Sequence, residues 1–165
     1  FLLLPILYAE KVITAEQLGY IGALLIVGIL VGALAVTYKL HVHHKTRLLQ
    51  VSLALLFGGT FFLFWAHNIF LLATAYILIG LATGLGMSTI NALAAQFTTK
   101  GKRYKVLANM AMLMDVSRII YPLIAGAIYI AFGFVGLVIF ALVTVLCFGV
   151  FIFFFTRFFV VIPSV

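Results

Sequence analysis

Apolar runs long enough to cross a bilayer, joined by links of only a few residues, recur from Glu16 to Phe155. A hydrocarbon core about 30 Å thick asks a helix for roughly 20 apolar residues, and these runs meet that length. No water reaches the backbone in such a layer, so each run has to satisfy its own N–H and C=O groups by coiling into a helix. A transmembrane barrel is excluded because the runs are continuous and lack period-two alternation. Composition points the same way: 67% of the 165 residues are hydrophobic and 8% are charged, with a mean hydropathy of +1.36. A soluble domain of this size has too little interior to hide that much apolar surface. The expected class is an all-α, multi-pass membrane protein.

The runs divide the chain into spans. Phe1 to Ala9 is too short to cross and is expected to be the outer part of a truncated first helix, with Pro5 placed to kink it. It has neither a basic start nor a small-residue cleavage site, so it is not read as a signal peptide. The polar loop EKVITAEQ follows, and Thr14 with Gln17 has capping-box spacing. Further spans are expected over Glu16–Leu40, Leu48–Ala66, Ile69–Phe97, Val106–Ala131 and Val135–Phe155, with FGFVG as a tight turn before the last. The sequence thus predicts one bundle of six transmembrane helices over residues 1–165. The Phe-rich sixth span reads as lipid-facing, with Arg157 reaching toward the membrane boundary. Cys147, the single cysteine, is expected to be a buried packing residue.

The formal net charge is +7, but the cations are not arranged for nucleic acid. Lys39, Lys45 and Arg47 stand between the second and third spans. Lys100, Lys102, Arg103 and Lys105 stand between the fourth and fifth, and Arg157 ends the sixth. Eight of the ten Lys and Arg therefore share one side, opposite Lys11, with Arg118 inside a span. The positive-inside rule makes that side cytoplasmic, together with both ends of the unit, and it brings the basic loops to anionic headgroups. Short loops without glycosylation sites or long tails fit a bacterial inner membrane. His41, His43 and His44 have no carboxylate or thiol nearby to complete a metal site, so a solvated basic loop is expected, with no metal and no cofactor.

Two ionisable residues break the apolar pattern. Lys105 to Asp115 is about 15 Å of helical rise, which sets Asp115 and Arg118 near mid-bilayer. With Pro122 they share a face at i, i+3 and i+7. Either they form a pair that neutralises itself and locks two helices, or they serve a proton or a substrate charge. The fourth span carries Ala73, Tyr76, Gly80, Gly84, Met87 and Asn91 at helical spacing, a small and polar stripe able to pack a neighbour or line a cavity. Asp115, Arg118, Asn91 and Tyr76 are therefore the candidates for a substrate or proton pathway. Gly28 and Gly32, at G-x-x-x-G spacing, are candidates for close helix packing together with Gly80, Gly84 and Gly126. Pro122 with Gly126 is expected to bend the fifth span.

Three local patterns resemble the major facilitator superfamily of transporters. Gly32, Leu34 and Ala35 match its Gly-x-Leu-Ala-Asp-Arg loop, where Val36 and Thr37 replace the Asp-Arg pair. Gly80 matches the fourth-helix Arg-x-x-x-Gly, where Tyr76 replaces the Arg. Pro122 and Gly126 match the fifth-helix Gly-Pro-x-x-Gly-Gly, where Tyr121 and Ala125 depart. The resemblance covers essentially the whole chain and implies one six-helix half of such a transporter, the degenerate motifs fitting the carboxy-terminal half. It further implies alternating access between two halves around a small-molecule substrate, so a second six-helix half is an expected partner. Secondary transport is the expected function, with proton-coupled, antiporter-type efflux of amphipathic or drug-like compounds as its finer form. The alternative is a non-transporting membrane subunit or assembly factor of the same fold. No filter loop, phosphate-cradling loop or acid–base set supports a channel or an enzyme.

Overall fold

The computed structural model describes residues 14–39, 45–65, 68–98 and 101–159. Its elements are four helices: α1 (Ala15–Lys39), α2 (Lys45–Phe64), α3 (Ile69–Phe97) and α4 (Arg103–Phe159). All four are long and apolar enough to cross a membrane. The first three coincide with the expected second, third and fourth spans, and α4 holds the fifth and sixth. The expected first helix with Pro5, the three loop histidines and Lys100 lie outside the described residues.

Local chemistry starts these helices where the sequence signals them. At α1, the Thr14 backbone N–H donates to Gln17 Oε1 (2.9 Å) and the Gln17 N–H donates back to Thr14 Oγ1 (3.3 Å). That reciprocal pair satisfies two N–H groups the first turn would otherwise leave without partners. At α3, Asn68 is the N-cap and its side chain accepts from the Phe70 N–H at 3.3 Å. Inside the helices, Thr60, Thr74 and Thr144 donate their hydroxyl protons to the carbonyl four residues earlier. In hydrocarbon this is the partner a threonine always has within reach.

The closest packing joins α1 and α3, which run parallel. A Cβ placed on Gly28 would lie 2.8 Å from the Ile77 carbonyl oxygen and 3.1 Å from the Gly80 Cα. One placed on Gly32 would lie 2.5 Å from the Leu81 oxygen and 3.2 Å from the Gly84 Cα. In return, Gly80 abuts the Leu25 carbonyl and Gly84 the Ile29 carbonyl. Two glycine pairs thus interlock one turn apart, and backbone meets backbone with no room for a side chain. Helix α2 packs antiparallel on the other side of α3. Ser52 of α2 donates to the buried Ala82 carbonyl at 2.8 Å, and Gly59 leaves room for Ala75 and Ile79. Between these two contacts lies the core: Ile21 and Leu25 of α1, Leu63 of α2, and Leu72, Ala75 and Tyr76 of α3.

The last helix cannot be one straight rod. Its 57 residues would extend about 86 Å, well beyond any bilayer. It breaks at Gly133, with φ 66 and ψ −165, a backbone region open essentially to glycine alone. The arms on either side, 103–132 and 134–159, fold back on each other. Tyr121 and Phe140 would be about 28 Å apart along a straight helix, yet their ring centroids are 6.2 Å apart. Leu137 and Val138 of the second arm are buried, and Phe134 joins the core. The non-helical break falls at Gly133, and Pro122 lies within helical backbone. A Cβ on Gly126 would meet nothing within 4 Å, so none of the described residues approaches closely there. Cys147, expected to be buried, is exposed, because this turn of the second arm faces outward beside Val143 and Phe148.

The parallel register of α1 and α3 gathers one set of termini at a single end of the bundle. The last residue of α1 is Lys39, α2 begins at Lys45 and α4 at Arg103. Away from that end the surface is apolar, with Tyr20, Leu30, Phe70 and Ile130 all exposed, as a lipid-facing surface requires.

Three glycine variants separate these roles in a stability assay on purified protein in micelles. Gly84→Leu is expected to cost about 1–3 kcal/mol or more by driving α1 from α3. Gly133→Ala is expected to cost about 1–3 kcal/mol through its backbone conformation alone, since space is available. Gly126→Ala should be neutral or stabilising by about 0.5–1 kcal/mol.

Candidate functional site

The stripe on α3 serves two neighbours at once. Gly80 and Gly84 are taken up by α1, while Tyr76 and Met87, displaced slightly around the helix, line an open cleft with Ile79 and Thr83. Leu25 and Ile29 of α1 form a second wall. The third wall is the first arm of α4, through Met114, Ser117 and Arg118. The cleft measures about 610 Å³, within the range of small-molecule sites. Thr83 is the central residue of the 29 in α3, so the cleft sits at mid-height of that helix.

Its polar groups are few and are not equivalent. The Thr83 hydroxyl donates to the Ile79 carbonyl and the Ser117 hydroxyl to the Met114 carbonyl, each at 2.7 Å. Both have spent their proton on their own helix and retain only acceptor capacity toward the cleft. Tyr76 differs. It is 2% exposed, and its hydroxyl is buried without a hydrogen-bond partner among the described residues. Tyr76 thus lines the cleft while its hydroxyl is closed off from it.

Among the described residues Arg118 is the one charged side chain lining the cleft. Its Nη1 donates to Asp115 Oδ1 at 3.1 Å, one turn earlier on the same arm, and this is the one ion pair recorded among the described residues. Both side chains are largely exposed, 73% for Arg118 and 68% for Asp115. Among the described residues neither is enclosed between α4 and another helix. Asp115 is not among the lining residues. It holds the guanidinium from outside the cleft.

Of the four pathway residues expected from sequence, Tyr76 and Arg118 both line the cleft, Asp115 stands behind Arg118, and Asn91 is exposed beyond it. Sequence reasoning missed Met114 and Ser117. They share a face with Arg118 at i, i+3 and i+4, but grouping Arg118 with Asp115 and Pro122 selected the neighbouring face. It also missed Thr83 and Ile79, which look like ordinary helix filler. Among the described residues no group of His, Cys, Asp and Glu could hold a metal ion.

A family model described as the Major Facilitator Superfamily matches residues 1–163. Comparison with curated proteins and with solved structures gave no match.

The unpartnered hydroxyl makes a simple prediction. Tyr76→Phe removes a buried group that no protein atom satisfies, so thermal stability in micelles should be unchanged or rise by about 1 kcal/mol. A loss of that size would mean that the hydroxyl has a partner in the resting protein.

Proposed function

The chain belongs to the Major Facilitator Superfamily, a family of membrane transporters, and on that premise we propose that the cleft is one wall of the route of a small molecule carried by alternating access. The observation that carries this reading is the setting of Arg118. It lines the cleft with Tyr76 at mid-height of α3 while paired with Asp115 at 3.1 Å. A charged side chain at the middle of a membrane helix costs about 2.5–3.5 kcal/mol on insertion scales. That cost falls when the group faces a watered route instead of lipid.

In this reading Asp115 is the proton-binding group and Arg118 its modulator. Protonating Asp115 removes the charge that holds the guanidinium, which changes what the cleft offers a ligand. The apolar walls supplied by Leu25, Ile29, Ile79 and the two methionines support an amphipathic substrate. An open cleft needs an opposing wall, and a second six-helix half meets that need, the present chain then acting as the carboxy-terminal-type half. The gathering of Lys39, Lys45, Arg47, Lys102, Arg103 and Lys105 at one end supports a cytoplasmic location for that end, in a bacterial inner membrane.

Flux in proteoliposomes of the full-length protein tests this, with a pH-sensitive dye inside and a panel of small amphipathic compounds outside. Wild type should move protons together with a compound, and Asp115→Asn should reduce proton movement at least about tenfold, the scale of a lost catalytic proton relay. Equal activity of the two would assign the pair a structural role. Absence of flux with every compound would favour a non-transporting subunit of the same fold.

A further inference from the structure

We infer that the groove between α2 and the second arm of α4 seats an acyl chain of an anionic phospholipid, with Arg47 at its mouth to receive the phosphate. The groove shares no lining residue with the cleft, and this site does not depend on the transport reading.

The first argument is the shape and chemistry of the groove. Leu53, Ala54 and Phe57 line it from α2, and Val145, Gly149 and Phe154 from the second arm. It measures about 410 Å³, and no lining residue carries a polar side chain. Its small residues, Ala54 and Gly149, belong to opposite walls, while Phe57, Leu146 and Val150 stand exposed around them. A Cβ on Gly149 would meet nothing within 4 Å, so none of the described residues fills the space above it. The helices of this chain meet through flush glycine pairs, as Gly28 meets Gly80. Here one small residue on each wall lies between bulky ones, which leaves a channel and not a flat face for another helix. From Arg47 to Phe57 is ten residues, about 15 Å of helical rise. That is half of a hydrocarbon core about 30 Å thick, the depth of one leaflet.

Every lipid offers hydrocarbon, so the channel alone selects none of them. Selection comes from the mouth. Arg47 is exposed and precedes Ala54 by seven residues, two helical turns, which sets it on the groove face of α2. Lys45 stands in the same first turn. On the second arm Arg157 follows Val150 by seven residues, the same register from the other wall. Both walls thus end in a cation at the basic end of the bundle. Gln50, also exposed, lies one turn from Arg47 toward the groove. Its amide can donate to the ester carbonyl that follows the phosphate of a glycerolipid.

The sign of the headgroup follows from what the mouth lacks. The chain has three acidic residues. Glu16 is in the first turn of α1, at the opposite end. Asp115 is in mid-span on the first arm, and Glu10 precedes α1 by five residues. No carboxylate therefore stands in the first turns of α2 or the last turns of α4 to answer the amine of a zwitterionic headgroup. A net negative headgroup meets cations alone.

Native mass spectrometry of the full-length protein released from neutral maltoside micelles reads bound lipid and oligomeric state together. The probes are phosphatidylglycerol and phosphatidylcholine with the same two oleoyl chains. Wild type should hold phosphatidylglycerol about fivefold more tightly, the scale of one arginine against an anionic headgroup. Arg47→Gln should remove most of that preference. Gly149→Leu fills the channel and leaves every charge in place, and it should weaken phosphatidylglycerol by a similar factor. Ala54→Leu fills it from the other wall and covers poor folding of the first filled variant. Lys102→Gln, just before α4, should change nothing. Equal retention of phosphatidylglycerol by wild type and the filled variants would assign its binding to surface charge and overturn the site. An unchanged preference in Arg47→Gln, or a preference for phosphatidylcholine in wild type, would overturn it as well. So would a lipid-free dimer that Gly149→Leu disperses, which would give the groove to a second copy of the chain.

Discussion

The backbone contact between α1 and α3 is the constraint on which the rest depends. Two glycines of each helix meet within a turn, so the helix axes approach as closely as two helices can. Inside a bilayer there is no hydrophobic drive to bring helices together, because lipid is as apolar as leucine. What remains is van der Waals contact, and small residues maximise it by letting main chains touch. With Gly80 and Gly84 spent on α1, the neighbouring residues of α3 are rotated to either side. Ala75, Ala82 and Gly86 meet α2, and Tyr76, Thr83 and Met87 open onto the cleft. The same contact that joins two helices therefore aims the side chains that line the site.

The cleft owes its shape to a second, weaker arrangement. The first arm of α4 is mostly exposed, with Met112, Leu113, Ile119 and Leu123 all well outside the core. The second arm is better anchored, through Phe134, Leu137 and Val138. Gly133 is the joint between the two arms, and the more exposed one carries Asp115 and Arg118. Among the described residues few contacts tie this arm to α3, so its separation from that helix can change at low cost. For a route that must open and close, that is a favourable place for the charged residues.

Much of this was legible in the chain. The spans at Glu16–Leu40, Leu48–Ala66 and Ile69–Phe97 agree closely with α1, α2 and α3, because length and apolarity are what a bilayer selects. The capping box at Thr14 and Gln17 follows from local side-chain geometry alone. Tyr76 and Arg118 could be singled out because polar groups are rare in such a helix and stand out against it. Two expectations failed for one shared reason. A close approach at Gly126, among the described residues, and a buried Cys147 each assumed a particular neighbour or facing direction, and the residue type does not carry that information. A glycine can mark a contact, as at Gly28, or a break, as at Gly133, or neither, as at Gly126.

The amino-acid sequence by itself determined the class, the membrane environment and the ends of the helices, because these depend on local hydrophobicity and on hydrogen bonds within one segment. It also determined that Asp115 and Arg118 are one turn apart, which is a property of the helix. Only the tertiary structure decided that Arg118 faces the cleft while Asp115 stands behind it, and that Tyr76 stands across from them. Those facts depend on how each helix is rotated about its axis. Rotation is set by which residues of one helix fit against another, a relation between distant parts of the chain that no local pattern specifies.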